Sequence, residues 1–263
     1  MNQKLKAILH NMQHYNASNL AEMTFGLNPN EEYDALVVAP GWKPTKILAN
    51  SAFKVTVLAE KSYISGYLVE KDGLKIAWIQ IASGGNNLID HLTICGELKF
   101  KKLIFAGAVG ALKENFAVGD LCTPSYSVAG VFANAYLCEK LSDYKPFEKV
   151  YPDETYVDSV IELAKESGYE LKKASVFCTD SIALEYSHLE EIRAFDTDLI
   201  EMETSSFYEL AKLFEVPAIA LLIVSDNSAT GQPLLGRNEE QERKYNDGRK
   251  KIIPELIYQI TRQ

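Results

Sequence analysis

Two carboxylates, Glu201 and Glu203, stand either side of Met202 in the stretch "LIEMETSS", where an apolar strand hands over to a helix. An acid in that place either complements the helix dipole or accepts hydrogen bonds from something set in front of it. Asp226 raises the same question. It follows the apolar run "AIALLIV" and Ser225; burial there moves a carboxyl toward the range where it can donate a proton at neutral pH, unless it only caps a turn. Glycines supply a third ingredient. Gly84 and Gly85 follow Ser83, and Gly107 and Gly110 punctuate "LIFAGAVGAL"; their backbone N–H groups either cradle an anion or serve tight turns. Neither a G-x-G-x-x-G nor a G-x-x-x-x-G-K-[ST] pattern occurs, so a dinucleotide-dependent oxidoreductase or a P-loop enzyme has little support.

The elements that must position these residues read as alternating strands and helices. "YDALVVAPG" is a strand closed by Pro40-Gly41, and "LKIAWIQIASGGNN" is another that ends in the double glycine. A helix is expected from about Asn87, capped by Asn or Asp. "KKLIFAGAVGAL" reads as a third strand that turns at Gly107 and Gly110, and "VGDLCTP" begins a fourth. Residues 139–156 read as a loop-like insertion, followed by a helix through Val157, Val160 and Ala164 that Gly168 stops. Phe207, Leu210, Ala211 and Phe214 mark a helix packed on a sheet, with Ser206 and Glu209 spaced as a capping box. The run "AIALLIV" suits a central strand buried on both faces, and a charged helix interrupted at Pro254 ends the chain. Residues 1–30 read as an N-terminal helical extension of one domain spanning 1–263. In open α/β sheets ligands bind beyond the carboxyl ends of strands, and the acids and glycines all fall at such ends.

Composition narrows the function classes. The 263 residues are 47% hydrophobic, enough for a sizeable core, and the formal charge of -9 gives no field that attracts polyanions. A nucleic-acid partner is not expected. Cys95, Cys122, Cys138 and Cys178 are far apart, and no metal-ligand spacing joins them to His10, His14, His91 or His188. The reading is a reduced, cytoplasmic chain with no membrane partner and no metal. The first arginine is Arg193, so an anion held earlier in the chain relies on lysine, hydroxyls or backbone N–H.

Three segments together, "VVAPGWKPTKIL", "LIFAGAVGALKENFAVGDL" and "LIEMETSSFYELAKLFEVPAIALLIVSDN", resemble the nucleoside phosphorylases of the hexameric purine nucleoside phosphorylase and uridine phosphorylase type. The related methylthioadenosine/S-adenosylhomocysteine nucleosidases share the likeness. The resemblance implies a three-layer α/β/α fold around a mixed, largely parallel sheet, cleavage of a nucleoside N-glycosidic bond, and a homo-oligomer from dimer to hexamer. It implies no cofactor, with phosphate as co-substrate. It gives Glu203, with Met202 and more weakly Glu201, to the ribose, and Asp226 to protonation of N7 of a purine. Ser83, Gly84, Gly85, Ser181, Ile182 and Ser225 would contact the nucleoside, and Gly41, Lys43, Lys46, Gly107 and Gly110 the phosphate. A neighbouring subunit could lend His10 or His14 to the sugar's 5′ end.

The chain departs from the family at the phosphate. Phe105 stands where the phosphorylases carry an arginine, Ala108 where they carry Ser or Thr, and the arginine of the Pro-Gly loop is missing. Lysine holds phosphate as a point charge and not as a two-bond fork. Nor does a glutamate stand beside the first strand to activate water as in the nucleosidases. Phosphorolysis leads, with hydrolysis and nucleoside binding without turnover as alternatives. Arg237 and Arg243 are both available to assist Asp226.

Overall fold

The computed structural model describes residues 2–16 and 19–263. Met1, Ala17 and Ser18, three positions of the expected N-terminal extension, lie outside the described residues. The chain runs α1 (Gln3–Tyr15), α2 (Leu20–Phe25), β1 (Glu32–Tyr33), β2 (Ala35–Pro40), α3 (Pro44–Ile47), β3 (Lys54–Glu60), β4 (Ser65–Lys71) and β5 (Leu74–Ile81). There follow α4 (Gly85–Ile94), β6 (Lys99–Phe100), β7 (Leu103–Ala111), β8 (Leu121–Ala129), β9 (Lys149–Val150), α5 (Glu154–Glu166) and β10 (Leu171–Cys178). The last part is α6 (Leu189–Arg193), β11 (Leu199–Glu201), α7 (Thr204–Phe214), β12 (Ala218–Asn227), α8 (Glu239–Asp247) and α9 (Ile253–Arg262).

The large sheet has the order β11-β10-β8-β12-β7-β2-β5-β4-β3, with β9 on β8, while β1 and β6 pair separately. It is mixed. Parallel pairings join β5, β2, β7 and β12 at its centre and β8, β10 and β11 beside them. Antiparallel pairings connect β12 to β8 and build the β3, β4, β5 meander. A further antiparallel pairing of β11 with β7 brings the edge strand back to the middle, so β7, β12, β8, β10 and β11 close a ring.

Alternation along the central strands explains their continuous apolar sequence. Ala220, Leu222 and Val224 face one core with α1, α4 and α7, whereas Ile219, Leu221 and Ile223 face the other with α5 and α9. Successive side chains point to opposite faces, so a strand covered on both needs no polar positions. Helices therefore lie on both sides of a mixed sheet, as the three-layer expectation requires. No helix among the described residues is long and apolar enough to cross a membrane.

Several local expectations change. The β3 and β4 hairpin lies in a segment that the strand reading passes over. Helix α4 starts at Gly85, two residues before Asn87, and its N-cap is Gly84 at φ 108°, with no side-chain cap. Helix α7 starts at Thr204, so Ser206 is inside its first turn and does not open a capping box; its hydroxyl is committed to Asn134 Oδ1 at 2.5 Å. The C-terminal helix breaks at the π turn Gly248–Ile252, and Pro254 sits in the first turn of α9, where its missing N–H costs nothing.

Candidate active site

The site arises from a gap in the sheet. β2 pairs with β7 only as far as Phe105, and β11 reaches β7 at Gly110 and Ala111. Between them, residues 106–109 have β12 alone as a neighbour. A cleft with about 660 Å³ of empty space, part of it open to solvent, lies over this one-sided stretch. Pro40 of β2, Ser83 after β5, Thr179 after β10, Glu203 after β11 and Asp226 of β12 all line it.

Gly107, at the centre of β7, and Gly110, second from its end, belong to the strand and not to a turn, which corrects the sequence reading. Their register with β12 keeps the strand running, and the reason for glycine is proximity. A Cβ on Gly110 would meet Asp226 Oδ2 at 3.0 Å and Ile200 Cγ2 at 3.2 Å. Gly110 thus makes room for the acid. Alternate residues of a strand direct their N–H groups to opposite edges, so part of the 106–109 backbone turns away from β12 toward the cleft.

The two glutamates have different surroundings. Both are buried. Glu201 Oε2 accepts from the N–H of Glu203 at 2.7 Å, Thr204 N–H is 3.0 Å from both its oxygens, and Oε1 accepts from Thr204 Oγ1 at 2.7 Å and from the Cys178 thiol at 2.9 Å. With every lone-pair direction used, Glu201 caps the first turn of α7 and is not free to hold a sugar. Burial and the Glu201 charge push the Cys178 thiol well above its usual range.

Glu203 accepts from Gly84 N–H at 2.5 Å through Oε1 and lines the cleft. Burial first, and the Glu201 charge second, raise its pKa well above the carboxylate range, opposed by the Gly84 and Met202 N–H groups. The α4 N-terminus and the acid at the α7 N-terminus are thereby tied together across the cleft wall.

Asp226, second from the end of β12, follows a bulge in that strand's register with β7. Ser225 Oγ donates to its Oδ1 at 2.5 Å, and burial raises its pKa, opposed by that hydroxyl and by the Arg237 charge. The turn-capping role open to Asp226 belongs instead to Asn227, whose Oδ1 accepts from Ala229 and Thr230 N–H. Arg237, and not Arg243, is the neighbouring arginine: its Nη1 donates to Ser225 O at 3.2 Å and Leu234 O at 3.0 Å, and its guanidinium lies 4.4 Å from the Tyr245 ring centroid. Arg243 pairs with Asp247 on the exposed side of α8.

Of the other expected site residues, Met202, Ser83, Ile182, Ser225, Gly107, Gly110 and Glu201 line the cleft together with Glu203 and Asp226. Gly84 and Gly85 stand directly behind Glu203 and Met202, where a Cβ on Gly85 would come within 3.6 Å of Met202 O. Ser181 is one residue off the lining and caps the following turn by accepting Leu184 N–H. Gly41, Lys43 and Lys46 are not among the lining residues. Lys43 is drawn 2.6 Å from Glu60 of β3, the hairpin that the strand reading omitted. The lysine anion site is therefore not assembled, because the added hairpin supplies Lys43 with an acid on the outside.

Sequence reasoning missed Glu185, Trp42 and Leu234 on the lining. Glu185 lies in a short 3₁₀ turn, Glu185–His188, which has no apolar period to announce it. Burial and the facing Asp226 charge raise its pKa to about 7. Phe105, buried against Phe207 at 5.6 Å between ring centroids, forms an uncharged floor where the resemblance expects an arginine.

Residues 51–257 match the family model described as the Phosphorylase superfamily. Among curated proteins, the chain is similar to a purine nucleoside phosphorylase DeoD-type of Anoxybacillus flavithermus (strain DSM 21510 / WK1), 29% identical over 145 residues that cover 55% of this chain and 59% of that one. It is also similar to the protein of the same description from Bacillus subtilis (strain 168), 26% identical over 147 residues, 56% and 60% of the two chains. The chain spans about three fifths of the length of these relatives.

Proposed function

Because the chain belongs to the phosphorylase superfamily, we propose that it cleaves the N-glycosidic bond of a purine-type nucleoside and transfers the ribosyl group to phosphate. The observation that carries this reading is that Glu203 and Asp226, 23 positions apart in sequence, line one cleft. Rupture of the bond leaves positive charge on the sugar and negative charge on the base. Glu203 accepts the 2′ and 3′ hydroxyls, and the positive charge that develops on the sugar favours its ionised form, which stabilises that charge in turn, with Met202 packed beneath it. Asp226 gives its proton to N7 as C1′–N9 breaks; a phosphate oxygen bonds C1′, and the proton of the attacking phosphate returns to Asp226 through solvent. The products are neutral base and ribose 1-phosphate.

Phosphate meets backbone N–H groups of residues 106–109 and no arginine fork, so its affinity is weak. A second reading, hydrolysis to free ribose, is favoured by one observation: no lysine or arginine is among the cleft-lining residues. Incubation with adenosine and inosine, with and without phosphate, and separation of ribose 1-phosphate from ribose distinguishes them. Phosphate-dependent ribose 1-phosphate supports transfer, and equal base release without phosphate removes it. A cytoplasmic homo-oligomer that uses no cofactor or metal belongs to the same reading; sedimentation of the purified protein tests the assembly.

A further inference from the structure

Glu185 lines the cleft from the turn after β10, and its carboxylate has no hydrogen-bond or ion-pair partner among the described residues. A half-enclosed carboxyl without a partner is unfavourable and is retained where a ligand supplies one. The charged and titratable groups that act on it or on Asp226 are Asp226 itself, Tyr186 and, through Asp226, Arg237. Asp226 Oδ1 is already held by the Ser225 hydroxyl, which leaves Oδ2 to the cleft. The leaving-base end of the site is thus a pair of carboxyls.

Resting on the nucleoside reading above, we propose that Glu185 reads the exocyclic amino group of the base and makes the cleft selective for 6-aminopurine nucleosides over 6-oxopurine ones. Two carboxyls on one cleft wall do not both ionise readily; the reading above gives the proton to Asp226, which leaves Glu185 as the acceptor. The pair then presents one donor and one acceptor. A 6-aminopurine edge offers N7 as acceptor and the N6 amino group as donor, whereas a 6-oxopurine edge offers the two acceptors N7 and O6. Only the first edge matches a singly protonated pair; the second leaves a carboxylate facing a carbonyl oxygen.

The test compares kcat/KM for adenosine and inosine at saturating phosphate in the wild type, Glu185→Ala and Glu185→Gln. Taking the ratio of the two substrates on one preparation cancels any difference in folded fraction. The wild type should favour adenosine on the order of ten- to a hundredfold, as expected for a hydrogen bond to a charged group. Glu185→Ala should lose that preference by slowing adenosine alone, and Glu185→Gln, whose amide both donates and accepts, should bring the ratio near unity with adenosine turnover retained. Equal or better use of inosine by the wild type overturns the inference while leaving nucleoside cleavage intact, as does an equal loss on both substrates in Glu185→Ala. A wild type that cleaves neither nucleoside overturns the function itself, and the inference with it.

Discussion

The side chain of Glu201 holds the backbone of Glu203: Oε2 of the first acid accepts the N–H of the second at 2.7 Å. The pair in "IEMETSS" is therefore a support and the group it supports. The first acid ends a strand and caps a helix, and the second takes from that fixed backbone its direction into the cleft.

Glu201→Ala should destabilise the protein by about 3 kcal/mol, since it strands Glu203 N–H and Thr204 N–H in a buried site and leaves the Thr204 hydroxyl and the Cys178 thiol with only Ser127, Ser205 and each other. Urea unfolding measures it. A loss within experimental error of zero would mean that Glu201 does not carry the first turn of α7.

Glu203→Gln should have opposite effects on stability and on binding. A carboxyl whose folded pKa lies above its unfolded one stabilises fully below the unfolded value, and that contribution is lost as pH rises through the folded value. The amide does not titrate, so the variant should gain on the wild type with rising pH, by about 1 kcal/mol at neutrality, while losing nucleoside affinity. Thermal melts across pH 5 to 8 (roughly the span in which folded and unfolded carboxyls differ) check the sign. A variant that falls behind the wild type as pH rises contradicts the assignment.

Asp226→Asn should lower kcat by about 10²–10⁴ with little change in KM, as expected for removal of a proton donor. Ser225→Ala removes a hydrogen bond that favours the Asp226 carboxylate. The Asp226 pKa then rises further, and the descending limb of the pH profile of kcat/KM should move to higher pH. Movement to lower pH would show that a different group donates the proton.

Lys43→Ala should leave the KM for phosphate unchanged, because Lys43 is paired with Glu60 and lies off the cleft lining. Steady-state kinetics with phosphate as the varied substrate measures this, and a tenfold rise would return Lys43 to the anion site.

How much of this was legible in the sequence follows from where the information sits. The layers were readable because "AIALLIV" and "LIFAGAVGAL" are apolar at every position, which only strands covered on both faces allow. Glu203, Met202 and Asp226 were readable because a carboxylate at the end of such a strand needs a reason. The lysine site was not, since whether Lys43 faces phosphate or Glu60 depends on a long-range hairpin that no local pattern near Gly41 reveals. Gly107 and Gly110 looked like a turn because glycine serves turns and close approaches alike, and only the position of Asp226 across the ladder separates the two. Glu185 gave no signal: it stands in an irregular turn, and its importance comes from a residue 41 positions later.

A crystal structure of the protein soaked with adenosine in the absence of phosphate tests the central claim most directly. The account predicts one nucleoside in the cleft, its 2′ and 3′ hydroxyls on the Glu203 carboxylate and N7 within hydrogen-bond reach of Asp226. A nucleoside bound elsewhere, or one that touches only one of the two acids, would contradict it.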